Sequence, residues 1–492
     1  MWRIAPWRSS RRIGFIILIV LIAIVNSPTI TAVSTVLWER SGQDKRKWVV
    51  NSPDITFINL LPIVIDQHPQ LVNETVFGIE STKQITADQS GFLEMVSAGS
   101  VWFRRSGILW SEIEASKGSY DWSALADFEE ELILASEQKV QIIPVIRGTP
   151  SWAQIVPEQV CGPIKQENLI DFGNFLFSFV DRYSKPPYNL RYIEIWNEPD
   201  ISSSKVSPDS GFGCWGDEGD EFYGGGYYAE MLRTVYPRVK ETNPEMQIII
   251  GGLLLDCDPE NVPRHKIDCL SSKFFEGILK NGGGSYFDGV GFHSYDYAYG
   301  GYYYENPNWH TASDKTGPVL VAKAAYLNNL MEQFGITNKF IINTETALLC
   351  VGECNTEYYD LALAYYLTHS YAYAVTKDLR ASLWFSIFGW LGSGLLDRDL
   401  SLLPAYISFQ FANQKIGNSQ FIREINDFQG VRGLEFINEG GKIWILWSGD
   451  GGNYTIQLPA RPESIWDAMG NPQPISVTLT ITPKPLYLDW PP

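Results

Sequence analysis

Short apolar runs alternate with longer amphipathic runs between about residue 75 and residue 420. Runs rich in Ile and Val are typical of strands, and apolar residues spaced at three- and four-residue steps are typical of helices packed on a sheet. The eight predicted strands are TVFGIE, SVWFRR, VQIIPVIR, RYIEIW, MQIIIGG, FDGVGFH, KFIINTE and ASLWFSIF. The predicted helices between them include ALADFEEELILASEQ, ENLIDFGNFLFSFVDRY, GGYYAEMLRTVYPRVKETN, VLVAKAAYLNNLMEQFG and YYDLALAYYLTHSYAYAV.

This alternation predicts an α/β fold. Strands separated by crossover helices form a parallel sheet that is covered on its outer face. Eight such units favour a (β/α)8 barrel, also called a TIM barrel, over residues 73–420. A doubly wound open sheet is the alternative, but it usually has fewer strands, and no GxGxxG motif follows the first strand.

The pattern changes after the barrel. Residues 421–492 alternate apolar and polar positions between Gly, Asn and Pro turns, which predicts a small antiparallel, sandwich-like β-domain. Residues 36–72 contain DITFINLLPIVI, which is either a strand of this β-domain or part of a linker.

The N-terminal segment, residues 1–35, has the order of a secretory signal peptide. Four arginines precede an unbroken apolar run, Ile13–Val25, and small and polar residues follow it. The run is shorter than the about 20 residues that span a bilayer, so an uncleaved membrane anchor is the alternative. Both interpretations place the protein outside the cell, either secreted or anchored at the outer face of the membrane.

The six cysteines, an even number, suit an oxidising compartment. Their spacing suggests three local disulfides, Cys161–Cys214, Cys257–Cys269 and Cys350–Cys354. These pairings are hypotheses, because six cysteines allow about 15 connectivities.

Composition narrows the class of partner. A formal net charge of −18 disfavours nucleic acids and anionic lipid surfaces, so membrane contact is expected only through an uncleaved N-terminal segment. Aromatic residues make up 14% of the chain, and their flat rings suit stacking on neutral sugars or packing in interfaces. Five histidines without an HExxH-like pattern imply no metal, and nothing implies an organic cofactor. The oligomeric state stays open.

Two glutamates end predicted strands of the barrel. Glu198 follows the fourth strand, where Pro199 stops the ladder, and Glu345 ends the seventh. Chemistry in such barrels occurs at the C-terminal ends of the strands, so the two carboxylates are expected to face each other. Such a pair flanking a scissile bond is what glycoside hydrolysis requires. A loop cap or surface salt bridge is the ordinary alternative for a single glutamate.

Three segments resemble the clan A retaining glycoside hydrolases, nearest to family 39 and family 5-like members. They are WNEPD after the fourth strand, NTETA ending the seventh, and LWSEIEASKGSYDW after the second. The resemblance covers about residues 73–420. It implies that Glu198 is the acid/base, that Glu345 is the nucleophile, and that Asn197 binds the 2-hydroxyl group of the sugar.

The resemblance also implies roles for further residues. Arg105, or Arg104 beside it, matches the second-strand arginine that keeps the nucleophile ionised. His293 and Tyr295 match sixth-strand positions that contact nucleophile or substrate, although a buried core histidine is nearly as plausible. The remaining candidates for substrate binding are Trp384, as a floor under the sugar, and Trp152, at the mouth; either one can instead be a packed barrel residue.

The sequence thus predicts a retaining O-glycosyl hydrolase acting by double displacement on a neutral, β-linked oligo- or polysaccharide. Retention requires a carboxylate separation of about 5–5.5 Å, whereas a separation near 8 Å indicates inversion. A transglycosylase using the same residues and a non-catalytic carbohydrate-binding barrel are the alternatives. The loop at residues 293–310 holds six tyrosines and a tryptophan, which suit stacking on a sugar chain, packing within the loop, or an interface.

Overall fold

In the computed structural model the chain divides into two units, residues 1–71 and 72–492. The structure describes residues 75–491 except 82, 300–301, 310–316 and 353–356. In the first unit it describes only a short antiparallel pair, Ile19–Val20 with Thr35–Val36. Apart from this pair, the predicted signal peptide or anchor lies outside the described residues, as does the DITFINLLPIVI segment. Among the described helices, none combines the length and apolar character needed to cross a membrane.

Eight parallel strands form a closed barrel. Each strand coincides with one of the apolar runs, because Ile- and Val-rich runs fit a sheet that is buried on both faces. Strand β8 pairs with β1, and β7 pairs with β6, which closes the ring. The strands are β1 (Phe77–Glu80), β2 (Trp102–Leu109), β3 (Gln141–Arg147), β4 (Tyr192–Asn197), β5 (Gln247–Leu253), β6 (Gly289–Ala298), β7 (Phe340–Cys350) and β8 (Ser382–Phe385). The barrel prediction is confirmed, and the open sheet is excluded.

A helix of at least six residues follows each strand and covers the outside of the barrel, and after β2 this helix is preceded by a four-residue helix, Trp110–Ile113. In the third helix, for example, Phe172, Leu176 and Phe179 recur at three- and four-residue steps and are fully buried. The helices are α1 (Phe92–Ser97), α2 (Ala126–Glu137), α3 (Leu169–Tyr183), α4 (Gly225–Thr242), α5 (Phe274–Lys280), α6 (Leu320–Gln333), α7 (Glu357–Thr376) and α8 (Pro404–Ile416).

The barrel interior has an apolar layer and a charged layer. The apolar layer lies toward the N-terminal ends of the strands and consists of Trp102, Ile143, Tyr192, Ile249, Ile342, Ala381 and Leu383. Two residues further along their strands, Arg104 and Glu194 are fully buried and pair with each other. Side chains two residues apart on a strand share a face, so the charged layer lies directly above the apolar one, at the mouth of the barrel.

The C-terminal part is antiparallel, as the alternating pattern predicts. After α8 ends at Ile416, five strands pair in the order β9-β10-β11-β15-β13, and β12 pairs with β14. The strands are β9 (Gln420–Ile425), β10 (Val431–Asn438), β11 (Gly441–Ser448), β12 (Tyr454–Gln457), β13 (Ser464–Asp467), β14 (Thr478–Ile481) and β15 (Leu486–Trp490). The ring of Trp447 packs 4.6 Å from that of His369, which joins this domain to α7.

Two of the three predicted disulfides are confirmed. Cys161–Cys214 joins the loops that follow β3 and β4, and Cys257–Cys269 closes a loop after β5. No described cysteine is free. In the third predicted pair, Cys354 lies outside the described residues.

Candidate active site

The end of β4 directs two consecutive side chains into the barrel mouth. In a regular strand, neighbouring side chains face opposite sides of the sheet. Here Trp196 has φ 72° and Glu198 has φ 45°, both in the left-handed region that non-glycine residues rarely adopt. The chain therefore turns sharply, and both Asn197 and Glu198 contact groups inside the barrel.

The backbone around Glu198 is fixed by hydrogen bonds to β5. The Glu198 N–H donates to the carbonyl of Gly252 at 2.9 Å. The buried carboxylate of Asp200 accepts from the amides of Leu254 and Leu255 at 2.9 and 2.8 Å. These contacts explain why the WNEPD motif ends on an acid: Asp200 attaches the end of β4 to the loop after β5.

A bulge in β7 directs Glu345 inward. Along the pairing with β6, Asn343 lies opposite Phe292 and Glu345 lies opposite His293, so Thr344 is an extra residue. Such bulges are common next to active sites, where they change the direction of a side chain. Without the bulge, strict alternation from the inward-facing Ile342 would turn Glu345 toward the helices.

The two strands bring Glu198, Glu345 and His293 together. One carboxylate oxygen of each glutamate and one ring nitrogen of His293 all lie within 4.8 Å of one another. Nδ1 of His293 is 2.8 Å from Oε1 of Glu198 and 3.5 Å from Oε2 of Glu345. All three residues are at least largely buried. These three atoms are also spaced closely enough to hold a metal ion, so a metal bound by them would occupy the same place as the carboxylate pair.

Arg104 neutralises the carboxylates around the site. Its guanidinium bonds Glu345, and it reaches Glu80 at 2.8 Å and Glu194 at 2.8 and 3.1 Å. It also donates to Oδ1 of Asn197 at 2.7 Å. The guanidinium has no exposed surface, so this is a buried cation with three carboxylate partners.

The assignment of Arg105 to the site is wrong. Arg105 lies on the outward face of β2, where its Nε pairs with Glu131 of α2 at 2.6 Å. Arg104, the alternative at the sequence level, is the arginine that contacts Glu345. The reason is the strand alternation, which sends one of two neighbouring arginines inward and the other toward the helices.

Burial shifts the pKa values of the site in opposite directions. Burial raises the pKa of Glu198 to about 7, although the charges of Arg104 and Lys323 oppose the shift. Burial also raises the pKa of Glu80 to about 8, against the pull of Arg104. For His293 burial lowers the pKa to about 4, so the imidazole is neutral at neutral pH.

Tyr295 lies beside Glu345, as expected from the sequence. Its hydroxyl donates to Oε2 of Glu345. Burial, followed by the charge of Glu345, raises its pKa well above the ordinary value, so the hydroxyl stays protonated as a donor. Phe385 and Trp390 pack edge-on against its ring at 6.2 and 6.3 Å, and Trp390 is 51% exposed.

Trp384 cannot form a floor under a sugar in this structure. Its side chain has no exposed surface, and its indole N–H donates to the carbonyl of Ser393 at 2.7 Å. The neighbouring Phe385 faces Tyr295 at the mouth instead. The strand ASLWFSIF is apolar on both faces, so its sequence does not show which aromatic points inward.

Trp152 packs on the segment that follows β2. Its indole N–H donates to the carbonyl of Glu114 at 3.0 Å, and its ring meets Trp110 edge-on at 5.3 Å. None of its described contacts is with Glu198 or Glu345. The structure therefore packs Trp152, partly buried, against the main hydrophobic core, which is the alternative named above.

The tyrosine-rich loop at residues 293–310 is partly packed on α7. Tyr302 meets Tyr365 at 5.2 Å, and Tyr304 meets Tyr366 edge-on at 4.8 Å. Tyr299 and Tyr303, by contrast, are 51% and 43% exposed. Within the described part of the loop, packing and exposure thus divide the tyrosines.

Sequence reasoning missed three charged residues of the site: Glu80, Glu194 and Lys323. Lys323 is buried on α6, where its ammonium donates to the carbonyls of Leu254 at 2.6 Å and of His293 at 2.8 Å. A signal was present, because charged residues are almost never fully buried without a partner. FGIE and RYIEIW each place a glutamate within an apolar strand, as VWFRR does with arginine.

Comparison with known proteins supports the fold. The chain matches no protein-family model and no curated protein. It is similar to a family 39 glycoside hydrolase from Bacteroides cellulosilyticus WH2, with a TM-score of 0.65 and 19% identity over 93% of this chain and 87% of that one. It is also similar to a family 30 endoxylanase from Clostridium papyrosolvens C71, with a TM-score of 0.56 and 12% identity over 84% and 96% of the two chains.

A third solved structure of the same shape is a family 39 β-xylosidase from Caulobacter crescentus, with a TM-score of 0.50 and 12% identity over 85% and 96% of the two chains. At these identities the likeness concerns the fold. The class that fold and site define together is a (β/α)8 barrel with a C-terminal antiparallel β-domain and a buried carboxylate pair at the mouth.

Proposed function

We propose that this protein is a retaining glycoside hydrolase that cleaves O-glycosidic bonds of an oligo- or polysaccharide by double displacement. The observation that carries the proposal is the approach of Glu198 and Glu345 to within 4.8 Å between carboxylate oxygens. Retaining enzymes hold their two carboxyl groups about 5–5.5 Å apart, whereas inverting enzymes leave about 6.5–9.5 Å for a water molecule. The spacing therefore favours attack by a carboxylate over attack by water.

In the first step Glu345 attacks the anomeric carbon while Glu198 donates its proton to the leaving oxygen. The bond to the leaving group breaks, and an ester between the sugar and Glu345 forms. The raised pKa of Glu198, about 7, keeps this carboxyl protonated at mildly acidic pH. Arg104 bonds Glu345 directly and holds its carboxylate in place for the attack.

In the second step water replaces the leaving group. Glu198, now ionised, takes a proton from the water, whose oxygen attacks the anomeric carbon and releases Glu345. Two inversions at one carbon restore the original configuration. The proton returns to Glu198, so the enzyme is ready for another cycle.

Other residues are suited to orient the sugar. Asn197 is held by Arg104 and by the carbonyl of Gly211 at 3.3 Å, which fixes its amide beside the carboxylate pair. We assign it to the 2-hydroxyl group. Tyr295 donates to Glu345, and the exposed ring of Trp390 offers a stacking surface at the rim. The net charge of −18 supports a largely neutral, and we propose β-linked, glycan.

The test uses a panel of aryl β-glycosides and polysaccharides with wild type and Glu345→Ala. Wild type is expected to release product from at least one substrate, and the variant is expected to lose several orders of magnitude in turnover. Proton NMR of the first product tests retention of configuration. Activity that survives in Glu345→Ala, or an inverted first product, would refute the proposed mechanism.

Two alternatives share this site. A transglycosylase would pass the sugar from Glu345 to a second sugar, and product analysis at high acceptor concentration distinguishes it. A carbohydrate-binding barrel without turnover would bind the same glycans and release nothing. The direct approach of both carboxylates argues against the second, because binding alone does not need the pair.

The proposed location is outside the cytoplasm. Disulfides persist in oxidising compartments, and Cys161–Cys214 and Cys257–Cys269 favour an extracellular protein. We propose that the N-terminal segment exports the chain, either as a cleaved signal or as an anchor at the outer face of the membrane. N-terminal sequencing of the exported protein distinguishes these two fates.

A further inference from the structure

Arg147, the last residue of β3, has no part in the proposed reaction. Its side chain faces the interior of the barrel at the mouth. Ile143 lies in the apolar layer of the interior, and Val145 lies opposite Glu194, whose carboxylate is inside the barrel. Residues two apart share a face, so Arg147 follows them on the inward side, one level above.

The guanidinium of Arg147 forms no ion pair with a described carboxylate, and the nearest acidic influence on it is the charge of the exposed Glu112, which acts from beyond salt-bridge distance. Its Nε is buried without a hydrogen bond, and its Nη1 has one long contact, 3.5 Å, to the carbonyl of Ser210. The other two arginines of this region differ: Arg104 has three carboxylates, and Arg105 has Glu131. Burial and then the charge of Arg104 lower the pKa of Arg147, yet an arginine stays a cation at physiological pH.

This cation lies next to the residues that we assign to sugar binding. A Cβ on Gly211 would stand 3.5 Å from Nη2 of Arg147, so the guanidinium packs against the bare backbone there. The carbonyl of the same Gly211 accepts from Nδ2 of Asn197. Arg147 and Asn197 therefore flank one residue, and Asn197 immediately precedes Glu198.

We propose that Arg147 forms a subsite for an anionic group on the substrate, a carboxylate of a uronosyl unit or a sulfate ester, carried by a sugar next to the scissile bond. The proposal rests on the proposed function and names its substrate class. The half-buried guanidinium of Arg147 has a buried Nε without a hydrogen bond, and a guanidinium matches a planar carboxylate or a sulfate with two parallel hydrogen bonds.

The ion pairs already present at the mouth limit the preference for an anionic group to one place. Elsewhere at the mouth the guanidinium of Arg104 is already engaged by Glu80, Glu194 and Glu345, so it is not free to bind an anion of the substrate. Among the described residues, Arg147 is the arginine of the mouth that has no ion pair, while the ammonium of Lys323 is buried against two carbonyls behind the site. The expected substrate is thus a mostly neutral glycan that carries an acidic unit at one defined position, and not a continuous polyanion.

The test compares chemically matched substrates. Uronic-acid-bearing polysaccharides are paired with their carboxyl-reduced forms, and sulfated galactans are paired with their desulfated forms. Values of kcat/KM are measured for wild type, Arg147→Met, Arg147→Lys and the control Arg461→Met, which removes an equal charge from an exposed position in the β-domain. Circular dichroism and Tm establish that each variant is folded.

Wild type is expected to prefer the acidic member of one pair by about 10- to 100-fold, the range of one charge-assisted interaction. Arg147→Met should erase the preference, Arg147→Lys should retain part of it, and Arg461→Met should leave it unchanged. The pair that shows the preference identifies the carboxylate or the sulfate. A wild type without preference, or a preference that survives in Arg147→Met, overturns the proposal while turnover keeps the proposed function intact.

A binding measurement covers the case in which no substrate is cleaved. Isothermal titration of the acidic and carboxyl-reduced oligosaccharides into wild type and Arg147→Met does not need turnover. Binding of the acidic form that weakens by a similar factor in Arg147→Met supports the subsite. Failure of wild type to cleave any member of the panel would then count against the hydrolase alone.

Discussion

Nδ1 of His293 lies 2.8 Å from Oε1 of Glu198, in a site where burial drives the two groups toward their neutral forms. The pKa of Glu198 is raised to about 7, and that of His293 is lowered to about 4. Between these values the pair has a protonated carboxyl beside a neutral imidazole. A proton donor is thus available over a pH range in which an exposed glutamate would be ionised.

The pH dependence of activity should follow Glu198. Its acid form is required, so kcat/KM is expected to fall tenfold per pH unit above about pH 7. Glu198→Gln should lose this alkaline limb together with most activity toward substrates with poor leaving groups. Aryl glycosides with acidic phenols should be affected less in the first step, since these leaving groups need no proton. A limb unchanged in Glu198→Gln would contradict the assignment.

Lys323 should influence the pH at which the alkaline limb of kcat/KM begins, although it lies behind the site. Its buried ammonium bonds the carbonyls of His293 and Leu254, and its charge lowers the pKa of Glu198. Lys323→Met removes the charge, so the alkaline limb of kcat/KM should move to higher pH. Lys339→Met is the matched control, because Lys339 bonds the Phe287 carbonyl near the N-terminal end of β7. Superimposable profiles for wild type and Lys323→Met would contradict this prediction.

Glu80 should make the folded state less stable as the pH rises. Its pKa is raised from 4.5 to about 8, so the folded state holds a proton that the unfolded chain releases. The resulting stabilisation is complete below about pH 4.5 and is lost as the pH rises through 8. Glu80→Gln should remove that loss, so its free energy of unfolding should gain on wild type between pH 5 and pH 8.

Urea unfolding followed by circular dichroism at several pH values measures this difference. Glu198 and Asp200 also have raised pKa values, so the free energy of unfolding falls with rising pH in the variant as well as in wild type. The quantity to compare is therefore the difference in unfolding free energy between Glu80→Gln and wild type at each pH. The exposed Glu137→Gln is the control and should show no trend. A constant difference between Glu80→Gln and wild type would mean that Glu80 is ionised throughout.

Adding even one methyl group at Gly252 should impair both activity and stability. Its N–H donates to Glu194 at 2.5 Å, its carbonyl accepts from Glu198, and an added Cβ would lie 2.1 Å from Nε2 of His293. Gly252→Ala should displace His293, lower kcat strongly and destabilise the fold by about 1–3 kcal/mol. Gly317→Ala, where a Cβ meets nothing closer than 3.6 Å, should leave both quantities near wild type. Equal effects of the two variants would refute this view of Gly252.

The sequence predicted the barrel and its carboxylate pair, but it did not predict which neighbouring residue points inward. Strands buried on both faces are apolar throughout, so the period-two signal that separates the faces is absent. For this reason the sequence does not distinguish Arg104 from Arg105, and it favours Trp384 although Phe385 faces the site. The bulge at Thr344 leaves no local mark in KFIINTE, yet it turns Glu345 inward.

The left-handed backbone at Glu198 has a consequence for the evolution of the protein. A glycine would adopt φ 45° without steric penalty, whereas a glutamate in such a conformation costs on the order of 1–3 kcal/mol. Random mutagenesis with selection for heat resistance alone should therefore favour glycine at position 198 and yield proteins that are more stable but inactive. A glutamate persists at this position only where selection acts on what the side chain does.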